Sequence, residues 1–108
     1  NLDRYVADKR ETAARYVEFF KGKEDITFFT EPADCKSNYW LNAVVLKDKA
    51  AQLDFLEYTN DHGVMTRPVW ELMNRLPMFE HCETDGLENT EWLADRVVNI
   101  PSSVRLDK

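Results

Sequence analysis

Residues Tyr39-Trp40-Leu41-Asn42-Ala43-Val44-Val45-Leu46 are apolar at every position but Asn42. Such a run is too short for a core helix. It carries apolar groups at odd and even positions alike, so as a strand it presents them on both faces. This predicts a central strand with pairing neighbours and cover on both sides. Asp48 follows as a helix N-cap, with Ala51, Phe55, Leu56 and Tyr58 as the buried stripe of a helix that reaches about Asp61. His62-Gly63 closes that helix, Val64 to Arg67 reads as a short strand, and Pro68 ends it. Strand, helix and strand over residues 39–67 make a crossover unit.

The flanking segments fit around this unit. Leu2, Tyr5, Val6, Ala13, Tyr16, Val17 and Phe20 recur at helical spacing, which predicts a helix over residues 2–21. Glu11 and Arg15 on its outer face stand in the favourable i,i+4 order, and Gly22 suits a left-handed cap. Ile26 to Thr30 is β-branched and aromatic, a strand stopped by Pro32. Trp70 to Leu76 reads as a short helix ended by Pro77, and residues 79–86 as loop. Asn89 or Thr90 is expected to cap a third helix that holds Trp92, Leu93 and Val97. Val98-Asn99-Ile100 follows as a last short strand. The fold class is α+β: a small mixed or antiparallel sheet of three to four strands packed with three to four helices.

The chain has 108 residues, room for one domain, 1–108. Its net charge of -6 repels phosphate backbones, so nucleic acid is not an expected partner. No apolar run is long enough to span a bilayer, so no membrane partner is expected. Two cysteines, Cys35 and Cys82, are too few for a disulfide scaffold and lack zinc-site spacing. They read as reduced thiols in a cytoplasmic protein. The opening Asn1-Leu2-Asp3-Arg4 carries no methionine and reads as a start inside a longer chain.

Catalytic groups are sparse. Ser37, Ser102 and Ser103 have no glycine-flanked elbow, and only His62 and His81 could serve as imidazole bases. His81-Cys82 between Glu80 and Glu83 reads as a surface loop rather than a metal site. With glycines only at 22, 63 and 86, no phosphate-cradling loop can form. Two segments stand out instead. Ser37-Asn38-Tyr39-Trp40 enters the central strand, and Thr66-Arg67-Pro68-Val69-Trp70 leaves the short one. Polar groups at strand ends are well placed to face a cleft. Arg67, before proline, sits in extended backbone, and its planar guanidinium suits a carboxylate or phosphate. The alternative is that Arg67 pairs with an acid of its own domain and that Trp40 and Trp70 belong to the core.

At these residues the chain resembles a known family. Ser37 to Asn42, Gly63 to Trp70 with Leu72 to Phe79, and the ending Val98-Asn99-Ile100-Pro101-Ser102-Ser103 are similar to the C-terminal domain of the DegT/StrS-type sugar aminotransferases. The branch nearest in pattern makes amino sugars of the legionaminic acid type. Lys9-Arg10 followed by Tyr16 fits as well. The resemblance implies the small domain of a fold type I aminotransferase. It also implies pyridoxal phosphate as the cofactor of the full-length enzyme, a homodimer, and transfer of an amino group from glutamate to a nucleotide-linked keto sugar. Arg67, Trp70, Asn38 and Tyr39 are the candidate substrate-binding residues. Where many members carry a tyrosine-proline pair and a histidine, this chain has Arg67-Pro68 and Trp70.

None of lysines 9, 21, 23, 36, 47, 49 and 108 has the surroundings of the family's Schiff-base lysine, and no acidic motif for the pyridinium nitrogen appears. The chain is therefore expected to hold no cofactor and no catalytic residue of its own, and to act with an N-terminal cofactor domain. That reading predicts an exposed apolar face. A second reading, an independent module binding a peptide or small acid through the Trp40 to Trp70 region, predicts an evenly polar surface. A third, an oligomerisation domain, predicts a symmetric interface and no pocket.

Overall fold

The computed structural model describes residues 1–105. Asn1 caps the first helix, α1 (Leu2–Phe20), its Oδ1 accepting from the amide of Arg4 at 3.3 Å. Lys21 ends it and Gly22 turns the chain at φ 80°, a left-handed conformation that glycine adopts without strain. Glu11 and Arg15 form the expected pair at 2.9 Å.

Four strands follow in one sheet: β1 (Ile26–Phe28), β2 (Asn42–Leu46), β3 (Arg67–Pro68) and β4 (Val97–Ile100), in spatial order β1-β2-β4-β3. Every adjacent pair is antiparallel. β2 pairs on both sides, as its composition predicts. The unit β2–α2–β3, with α2 at Lys49–Asp61, is a split crossover: its two strands run parallel with β4 inserted between them. The final strand is thus an interior one.

Alternation sorts the sheet into two faces. Ile26, Phe28, Asn42, Val44, Leu46, Val98 and Ile100 share one face, through the register Ile26 with Leu46, Phe28 with Val44, Val44 with Val98 and Asn42 with Ile100. Ala13, Tyr16 and Phe20 of α1 and Ala51, Phe55 and Leu56 of α2 pack into this same cluster, so both long helices cover one face. The opposite face carries Thr27, Ala43, Val45, Val97, Asn99 and Arg67, each half-buried or exposed. Cover on both faces of β2 was expected; the structure gives it on one.

Other boundaries differ for identifiable reasons. β2 begins at Asn42, not Tyr39, because polar side chains hold the preceding residues in a turn. Ser37 Oγ accepts from the Tyr39 amide at 2.9 Å and Asn38 Oδ1 from the Trp40 amide at 3.0 Å, with Tyr39 at φ 48°. Pro68 lies within β3 rather than after it, which an edge strand tolerates. Between Trp70 and Leu76 only a 3-10 turn forms, Met73–Arg75, since Leu72 and Leu76 on either side of it are extended. The third helix, α3 (Glu88–Ala94), starts after Leu87 at φ 54° without a side-chain cap, so Asn89 and Thr90 lie inside it, and Val97 belongs to β4. Of the predicted stripes, Leu2, Tyr5, Val17 and Tyr58 remain exposed. Asp8, Thr12 and Gln52 are buried in their place, where Asp8 accepts from the Arg105 amide at 2.9 Å and Gln52 donates to the carbonyls of Ala94 and Val97 at 2.9 Å.

Candidate functional site

The N-terminal end of β2, the C-terminal end of β4 and the start of β3 lie side by side, since Asn42 pairs with Ile100 and Arg67 with Asn99. Beside this end of the sheet is a groove of about 460 Å³ lined by Trp40, Leu41, Arg67, Pro68, Trp70 and Asn99. Ala43, Asn99 and Arg67 occupy neighbouring positions on the sheet face away from α1 and α2. Trp40 is 64% exposed and Trp70 71% exposed, so neither indole is core. The two segments singled out in the sequence therefore meet, and among the described residues Arg67 is the only ionisable one lining the groove.

Arg67 is held by neutral oxygens. One terminal guanidinium nitrogen donates to the carbonyl of Thr66 at 2.8 Å and to Asn60 Oδ1 at 3.2 Å. Among the described residues no carboxylate lies within ion-pair distance of it. The expected alternative, an acid of its own domain, is absent from its surroundings. The charge stays available to an incoming anion.

Tyr39 and Asn38 lie elsewhere. The Tyr39 ring packs on Phe28 with centroids 6.4 Å apart, and its hydroxyl accepts from the Glu31 amide at 3.0 Å. Glu31 in turn receives both terminal nitrogens of Arg10 at 3.0 and 2.8 Å, and the Ser37 amide as well. The Arg10 hydrogen bonds come first and the Ser37 amide second in holding the Glu31 carboxyl well below its usual range, at about 2. This network ties the loop before β2 to α1. Asn38 lines a separate cavity of about 380 Å³ with Leu2, Tyr5, Val6, Lys9, Trp40 and Val104. Trp40 is the wall shared by both cavities, and Lys9 fixes its backbone by donating to the Trp40 carbonyl at 3.2 Å and the Ser102 carbonyl at 2.7 Å.

Sequence reasoning missed Asn99, Leu41 and Asn60. A strand residue facing the open side, a loop leucine and a polar residue in the last turn of a helix carry no local signal; only strand register and the return of β3 to the end of α2 bring them to Arg67.

Among the described residues, neither of the lysine-lined cavities has the make-up of a pyridoxal phosphate site. Such a site needs a free lysine amine opposite a carboxylate. Lysines line two of the described cavities, one at Lys9 and one at Lys21 and Lys23, and neither cavity has a carboxylate in its wall. The Lys9 amine is engaged by two carbonyls. Lys108 lies outside the described residues.

A four-stranded antiparallel sheet with the two long helices on one face and an arginine-bearing groove beside the other defines an α+β fold. The chain belongs to the DegT/DnrJ/EryC1/StrS aminotransferase family, whose model matches residues 1–108. It is 26% identical over 105 residues to EpsN of Bacillus subtilis (strain 168), whose name places it among pyridoxal phosphate-dependent aminotransferases. That match covers 94% of this chain and 27% of EpsN. Among solved structures, the aminotransferase TlmJ from Streptoalloteichus hindustanus superposes with a TM-score of 0.84 at 21% identity, covering 94% of this chain and 27% of TlmJ. S. venezuelae DesV, solved with a ketimine intermediate, gives 0.82 at 19% identity, covering 98% and 29%. Helicobacter pylori PseC, an aminotransferase of pseudoaminic acid biosynthesis, gives 0.82 at 17% identity, covering 94% and 28%. The chain thus spans little more than a quarter of the proteins it matches.

Proposed function

We propose that residues 1–108 are the C-terminal, substrate-covering domain of a pyridoxal phosphate-dependent aminotransferase that moves an amino group from glutamate to a nucleotide-linked keto sugar. In this reading the cofactor, its lysine and its acidic partner are supplied by an N-terminal domain of the same polypeptide. The complete enzyme works as a cytoplasmic homodimer. When bound there, the cofactor supplies the aldehyde that accepts the amino group and the electron sink that makes the transfer possible.

The observation that carries the reading is Arg67, a cation with no acid partner among the described residues, in a groove it lines together with the exposed Trp40 and Trp70. Both natural reactants are anionic: glutamate carries carboxylates and the sugar nucleotide a diphosphate. A guanidinium fork binds either, and an indole stacks on a sugar or base face. The reading is further supported by the exposed Met65, Met73, Met78 and Phe79, which stand near the groove in sequence and leave apolar surface for a covering domain. Among the described residues no helix is long and apolar enough to cross a membrane.

Two measurements test it. Residues 1–108, given pyridoxal phosphate, glutamate and a uridine diphosphate-linked keto sugar, are expected to form no 2-oxoglutarate; steady production would end the fragment reading. In the longer polypeptide that carries this domain, Arg67→Met is expected to raise the KM of one anionic reactant about tenfold or more, the loss of a charge-assisted hydrogen bond. Unchanged KM values for both reactants would remove Arg67 from the site.

A further inference from the structure

Arg67 lies on a two-residue edge strand with an exposed side chain, a setting in which a long cation usually samples many rotamers. Its surroundings counteract this. Asn60, in the last turn of α2, faces β3 with both ends of its amide in use. Its Nδ2 donates to the Leu56 carbonyl at 2.8 Å, to Thr66 Oγ1 at 3.0 Å and to the Thr66 carbonyl at 3.2 Å. Its Oδ1 then accepts from the Arg67 guanidinium at 3.2 Å. Thr66, only 2% exposed, is pinned from the other side by Thr59, whose hydroxyl lies 2.7 Å from its own. The Thr59 hydroxyl is anchored in turn on the Phe55 carbonyl at 2.7 Å. A continuous chain of hydrogen bonds thus runs from the rigid body of α2 to one terminal nitrogen of Arg67. The opposite edge of the guanidinium is left for a ligand.

We propose that Asn60 is a positioning residue: it fixes the Arg67 guanidinium in the groove, and because it is a neutral amide it does so without consuming the charge. An aspartate could accept the same hydrogen bond, but it would lose the donor to the Leu56 and Thr66 carbonyls, and it would hold Arg67 as an ion pair that competes with the incoming anion. The ligand chemistry is an oxyanion pair, a carboxylate or a phosphate. This inference rests on the proposed function for the identity of that anion; the positioning of Arg67 by Asn60 does not depend on it.

The test has two arms. In residues 1–108, nuclear magnetic resonance relaxation of the Arg67 Nε–Hε group reads its order directly. Asn60→Ala is expected to lower that order parameter. No change in Asn60→Ala would overturn the positioning role. In the longer polypeptide, KM is measured separately for glutamate and for the sugar nucleotide, and the reactant whose KM moves identifies the anion. Asn60→Ala is expected to raise that KM roughly three- to tenfold, the effect of one hydrogen bond, with kcat little changed. In an Arg67→Met background the same substitution is expected to have no further effect. Asn60→Asp is expected to raise KM at least as far as alanine does, although the side chain keeps its shape. If the alanine variant fails to fold, the aspartate variant decides: an unchanged KM overturns the inference. Multiplying effects of Asn60→Ala and Arg67→Met also overturn it. If Arg67→Met alone leaves both KM values unchanged while the relaxation arm holds, the functional reading of Arg67 has failed, and Asn60 orders a side chain that binds neither reactant.

Discussion

Glu31 receives three hydrogen bonds from two directions, and its charge state is what makes the loop before β2 rigid. Its carboxyl titrates at about 2 in the fold against an ordinary 4.5. A depressed value means that the folded state binds the proton less tightly than the unfolded one. The stabilisation is therefore complete above pH 4.5 and is lost as pH falls through that value towards 2. In urea titrations across this window, Glu31→Gln is expected to flatten the acid limb of the stability curve and to lower stability near neutral pH. An unaltered acid limb would assign the acid sensitivity to other carboxylates. The Arg10 partner was legible only as part of a family pattern. The pairing itself spans 21 positions and depends on how the loop returns to α1.

Between elements, the link that matters most is an amide. Gln52 of α2 is fully buried and donates to the carbonyls of Ala94 and Val97, at 2.9 Å each, where α3 hands over to β4. Replacing it with alanine leaves two part-buried carbonyls without their donor and opens a void. Gln52→Ala is expected to cost about 3 kcal/mol in chemical denaturation; a loss near zero would mean that water replaces the amide. Apolar periodicity found α2 and Asp48 capped it as predicted, with its side chain accepting from the Ala51 amide at 2.8 Å. Gln52 stayed invisible because a glutamine in such a pattern reads as surface. The same limitation explains α1, where Asp8 and Thr12 face inward towards residues 101–105 while Leu2 and Val17 face out. Strands were legible as elements, but their order was not: local composition cannot say that β4 lies between β2 and β3. The groove was half legible. Its two aromatic-flanked segments could be named, but Asn99 and Asn60 reach it only through tertiary pairing.

The molecule as a whole has too much surface. It exposes 8091 Å², where a compact monomer of 12.7 kDa would expose about 6,200 Å². Its extents of 47 × 30 × 26 Å and radius of gyration of 15.8 Å describe an elongated body, against about 13 Å for a compact chain of this length. The excess is more than twice the roughly 800 Å² that one partner loses in a standard-sized protein–protein contact. The folded chain is accordingly expected to take up the dye 1-anilinonaphthalene-8-sulfonate under native conditions. On the function proposed above, it is expected to release the dye when the proposed N-terminal cofactor domain, produced separately, is added. Absence of uptake by the folded chain would mean that these apolar residues are not available as a contiguous surface.

The place of β4 in the sheet has one more consequence. Because this strand is threaded between two that precede it, β3 has no partner until it arrives, and Arg67 and Asn99 are not neighbours before then. A state in which β4 is unpaired lacks the Asn99 wall of the groove. On the function proposed above, anion binding at Arg67 would report that this strand has paired, and a chain lacking β4 is expected to lose that binding.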